Sequence, residues 1–209
     1  MNIKISVYDF FAYTIPGFII LFTILYAYTI FGSIQIDFLS INPSIAQIAV
    51  LLGVCYIIGL VFDSTGKLWY RVFKPMNFPN LVLTEFKQSH PALEIKFQAA
   101  DWPILLAYIK YQNIDVVTDI ERMNASNIML RNVSVAFIGL SLVQIVKFIQ
   151  VLSMPYLVIG IAFIVSAVIL GKESVKYARW FYLGIFEAIA ANSLNVSDLL
   201  TNKDCETAS

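Results

Sequence analysis

In the stretch "SLVQIVKFIQVLSMP", residues 141–155, Lys147 stands in an otherwise apolar run between Gln144 and Gln150. It is the only charged residue from Asn132 to Gly171. On a helix, Gln144, Lys147 and Gln150 share a drifting face, with Ser134 and Ser141 near Gln144. A lysine in such a run has two uses. Its long stem can reach the interface while the polar neighbours hydrogen-bond other helices. Alternatively, Ser141, Gln144 and Lys147 line the outer part of a pore, where a cation favours anions. A catalytic role does not fit, because no acid lies at the same depth.

A second constellation is Lys67, Arg71 and Lys74, spaced four and three and therefore on one helical face, with Trp69, Tyr70 and Phe73 interleaved. As an anchor, such a face puts aromatics in the headgroup belt and cations on anionic lipid, worth about 1 kcal/mol per charge. As a ligand site it would hold a phosphate-bearing molecule, with Lys110, Arg122 and Arg131 as further contributors. "DSTGKL" at 63–68 lacks the first glycine of a phosphate-binding loop and carries Leu68 where a magnesium-binding hydroxyl is needed. The single histidine, His90, sits in "SHP", a setting for capping or turn chemistry. No cluster of His, Cys and carboxylate is visible, so neither a metal nor another cofactor is expected. Asp101, Asp115, Asp119 and Glu121 read as solvated helix surface. Nothing in these residues points to an enzyme.

The elements that carry these residues follow from composition. The chain of 209 residues is 59% hydrophobic and 13% charged, far from an ordinary soluble domain. No charge falls between Asp9 and Asp37, nor between Asp37 and Asp63. A bilayer core of about 30 Å needs roughly 20 apolar helical residues. Spans are therefore expected near 15–34, 43–62, 133–152 and 155–171, the last two joined only by "SMP". The fold class is all-α: four transmembrane helices with a cytoplasmic helical extension. Lys67 through Arg131, the basic tail and Lys4 put the middle segment and both termini in the cytoplasm. The first span lacks a convincing cleavage site and is read as retained. Asn124, Asn132 and Asn195 head sequons on the cytoplasmic side, which reads as chance. Cys55 and Cys205 suggest no disulfide framework.

The expected organisation is an interfacial helix at 1–14, a first span pair at 15–62 and a cytoplasmic helical segment at 63–132. A span hairpin at 133–171, a cytoplasmic helix at 172–199 and a disordered tail at 200–209 complete it. The second helix is expected to run to about 74, short helices to fill 80–88, 91–100 and 102–112, one helix of about 38 residues to start near Asp115, and the fourth span to continue as a helix to just before Asn192. Small residues in the spans, among them Gly53, Gly59, Gly139, Gly160, Ala162, Ser166 and Ala167, allow close helix approach. With the few faces that four spans bury, they suggest a homo-oligomer, with a tetramer as the expected stoichiometry.

Two classes of function fit: a pore gated by cytoplasmic helices, or a scaffold or sensor that recruits and regulates a soluble cytoplasmic partner. The aromatic lead "YDFFAYTIPGF", the four spans, the inward termini and the helical insertion resemble small membrane effectors of bacterial antiphage systems. The plan is similar to the channel-forming effector of the Hailong system, and the membrane subunit of the Kiwa system is a second resemblance. The first resemblance implies an oligomeric channel in the bacterial inner membrane, opened by a nucleotide or oligonucleotide. It assigns no individual residue a role. The topology expects that cysteines introduced at positions 80–110 stay unmodified when intact cells are labelled from outside.

Overall fold

A computed structural model describes residues 7–32, 44–91, 95 and 97–191. The described chain is all-helical. Helix α1 spans Val7–Phe31, α2 Ile45–Tyr70, α3 Phe78–Ser89, α4 Trp102–Gln112, α5 Ile114–Val151 and α6 Met154–Ala191, with a short 3-10 turn at Ala99–Asp101. Helices α1, α2, α5 and α6 are long and apolar enough to cross a membrane. Both α5 and α6 contain 38 residues, about 57 Å at the usual rise.

Several boundaries differ from the sequence expectation. The interfacial helix and the first span are one helix: α1 runs from Val7 through a buried Pro16 to Phe31. α2 ends at Tyr70, where the Arg71 amide turns back to the Leu68 and Trp69 carbonyls. A helix over 91–100 does not form at Ile95, Phe97 or Gln98. Gln98 is extended and caps the 3-10 turn, while the buried Phe97 ring stacks on Phe186 at 5.5 Å. Burying that aromatic outweighs local helix preference. The span 155–171, by contrast, continues without a break to Ala191 as a single α6, as the sequence leads one to expect. Between α5 and α6 only Leu152 and Ser153 intervene, with Leu152 at φ 52 and its amide on the Phe148 carbonyl at 2.7 Å. The expected segments 1–6 and 192–209, and with them the tail 200–209, lie outside the described residues.

The chain divides into two compact units, Met1–Phe73 with Ala125–Val175 and Lys74–Asn124 with Lys176–Ser209. The interior of the first is small and polar. α2 buries Cys55, Gly59, Asp63, Gly66 and Tyr70, one stripe at spacings of four and three, while Val50, Ile57, Leu60 and Val61 face outward. A Cβ on Gly17 would lie 1.8 Å from the Cys55 carbonyl oxygen, and one on Gly59 would lie 2.0 Å from that of Tyr13. The α1 and α2 backbones therefore touch, as small residues allow membrane helices to do.

The second unit has a different interior. Phe86 of α3, Phe97, Trp102 of α4 and Phe181, Tyr182 and Phe186 of α6 form an aromatic cluster with centroids 5.2–6.1 Å apart. Leu105, Ile109, Val117, Ile120 and Ile185 complete it, and Arg179 pairs with Glu85 at its surface. Gly59→Leu is expected to lower stability by about 3 kcal/mol through overpacking, read as a fall in thermal unfolding temperature in detergent. Gly53→Leu, where a new Cβ meets nothing within 4 Å, should be nearly neutral.

Candidate ionic site at the end of α2

The first unit holds a buried ionic cluster built by α2 and α5. Asp63 is the first charged residue of α2, 18 residues after Ile45, or about 27 Å along the helix. Its Oδ1 accepts from Arg131 Nη2 at 2.6 Å and from Asn132 Nδ2 at 3.2 Å. Its Oδ2 accepts from Lys67 Nζ at 2.8 Å, one turn further along α2. The side chains of Arg131 and Asp63 are 9% and 10% exposed, that of Lys67 60%. The pair thus closes toward the interior and opens only on the lysine side.

Gly66 makes this arrangement possible. A Cβ there would sit 2.0 Å from Asn132 Oδ1, so only glycine lets Asn132 turn its amide nitrogen onto Asp63. The glycine that imitates a phosphate-binding loop is a packing glycine. One turn further, the Trp69 indole donates to Ser134 Oγ at 2.7 Å, and that hydroxyl donates to the Ala167 carbonyl at 2.6 Å. Ser141 Oγ donates to the Gly160 carbonyl at 2.9 Å, and Gln144 Nε2 donates to the Tyr26 hydroxyl at 3.2 Å. These bonds tie α5 to α1, α2 and α6 along the inner face of α5. Lys147 is half-buried and has no ion-pair partner among the described residues.

The sequence-selected cations separate accordingly. Lys67 and Arg131 meet on Asp63, and Arg71 is exposed at the α2 terminus. In the second unit, Lys110 pairs with Glu121 at 2.9 Å, Arg122 reaches Asp119 at 3.9 Å, and Lys74 lies 5.4 Å from the Phe78 ring centre. Asp63, which unites the cluster, was not singled out by sequence reasoning. Its position four residues before Lys67 and at the end of an apolar run was the available signal; its distance of 68 residues from Arg131 concealed the rest. Among the described residues no group of three His, Cys, Asp or Glu side chains could hold a metal.

Fold and site together define an all-α protein with the layout of a multi-pass membrane protein, stitched internally by polar contacts. No protein-family model, curated protein or solved structure matches the chain. Removing one partner of a buried ion pair costs about 3–5 kcal/mol. Arg131→Gln is therefore expected to destabilise by that amount in thermal unfolding, and the added Asp63→Asn change to restore most of the loss.

Proposed function

We propose that the chain is a homo-oligomeric channel or pore-type effector of the bacterial inner membrane, gated from the cytoplasm by an anionic nucleotide or oligonucleotide. The observation that carries this reading is the cluster at the end of α2, where Lys67 and Arg131 face the single carboxylate of Asp63. An anion attracted there acts on α5, a helix shared by both units. Lys67, Arg71 and Arg131 of the first unit provide the charge. Ser141 and Gln144 hold α5 against α6 and α1, and Lys147 is the side chain that reaches the ion path. The place in antiphage defence rests on the resemblance of layout alone.

A second reading, a membrane scaffold or sensor with a soluble partner, is favoured by one feature. Tyr111 at the end of α4 is 88% exposed, and Ile104 of the same helix and Ile114 at the start of α5 are exposed as well. Reversal-potential recordings on the reconstituted protein separate the two. The channel reading expects a ligand-dependent conductance whose anion preference weakens or inverts in Lys147→Glu. Absence of conductance with any nucleotide or oligonucleotide ends that reading, and unchanged selectivity in Lys147→Glu removes Lys147 from the path.

A further inference from the structure

The donors around Asp63 fit an anion larger than a carboxylate. Lys67 Nζ, Arg131 Nη2 and Asn132 Nδ2 already occupy both carboxylate oxygens. Two cations against one carboxylate leave the cluster with a net positive charge. Arg131 Nε, on a side chain 9% exposed, has no acceptor among the described residues. A buried donor without an acceptor costs about 1–3 kcal/mol, and Asp63 meets this arginine through Nη2 alone. A phosphate group presents more oxygens and can take an arginine side-on through Nε and Nη2. Access lies on the exposed Lys67 side, where Arg71, one turn on, is also exposed and has no partner among the described residues. About 27 Å of apolar helix before Asp63 places the cluster level with the edge of a bilayer core.

We propose that Lys67, Arg131 and Asn132 form a phosphate-binding site that the carboxylate of Asp63 holds closed. A phosphate monoester or diester replaces the carboxylate on Lys67 and Arg131 and also satisfies Arg131 Nε. Asp63 then turns toward the side on which Lys67 is exposed. The phosphate comes either from a lipid headgroup or from a soluble ligand. The gating consequence rests on the ligand-gated channel reading; the binding event does not.

The test uses the full-length protein in nanodiscs and inorganic pyrophosphate as probe, with binding measured by calorimetry. Asp63→Asn removes the internal competitor and is expected to tighten binding about ten- to a hundredfold if the wild-type site is open in one molecule in about ten to a hundred. Asp63→Asn combined with Arg131→Gln should lose that gain. Phosphatidylglycerol in the discs should abolish the gain if a lipid headgroup is the occupant and leave it intact if the ligand is soluble. Both outcomes support the site. Binding by Asp63→Asn no tighter than wild type, or a gain that survives Arg131→Gln, overturns it.

Wild-type protein provides a measurement that does not depend on a variant folding. Pyrophosphate should raise carbodiimide labelling of Asp63 severalfold relative to exposed Asp119, and no rise up to the solubility limit of the probe overturns the proposal. If binding behaves as stated while no ligand opens a conductance, the channel reading fails and the phosphate site stands.

Discussion

The contact between Arg131 and Asp63 sets the register of α2 against α5. Two charges, each about nine-tenths buried, tolerate little displacement before one is left unmatched. Gly66 and Asn132 leave no room to slide, since the glycine face meets the amide oxygen directly. From this tier the other contacts follow along α5: Ser134 between Trp69 and the α6 backbone, Ser141 on Gly160, and Gln144 on Tyr26. Buried polar groups are costly unless hydrogen-bonded, so each bond also offsets a desolvation cost.

The two units solve the packing problem by opposite means. α2 of the first unit puts glycine, cysteine and aspartate inside and valine, isoleucine and leucine outside. The second unit puts phenylalanine and isoleucine inside and keeps Lys87, Lys110 and Glu187 outside. Water drives apolar burial, which accounts for the second arrangement. Where the surroundings are as apolar as leucine, close contact and hydrogen bonding must hold helices together, which accounts for the first. The contrast agrees with helices long and apolar enough to span in the first unit, and with α3 and α4 being neither.

Much of the architecture was legible because it is written in charge-free runs and proline positions. The lengths of α5 and α6 and the tight connection between them needed no tertiary knowledge. An inward polar face on α5 was also readable, since Ser134, Ser141 and Gln144 lie on it at helical spacing. Where their hydrogen bonds end was not, because Tyr26, Gly160 and Ala167 belong to other helices. The ionic site was half legible. Periodicity groups Lys67 with Arg71 on one helix but cannot see Arg131 arriving from another, and it passed over Asp63 because an acid beside lysines resembles an ordinary solvated pair. The failed helix at 91–100 has the same origin: Phe97 answers to the Phe186 ring, not to its neighbours in sequence.

The separation of the ionic partners along the chain has a consequence during synthesis. A ribosome adding about 5–20 residues per second makes Asp63 roughly 3–14 s before Arg131, which follows it by 68 residues. Throughout that interval Lys67, one turn away, is at hand to pair with the carboxylate. Its place at the end of the apolar run, and not within it, lets the nascent helix settle with the acid still wet. The arginine can then dock on a carboxylate that already has a cationic neighbour.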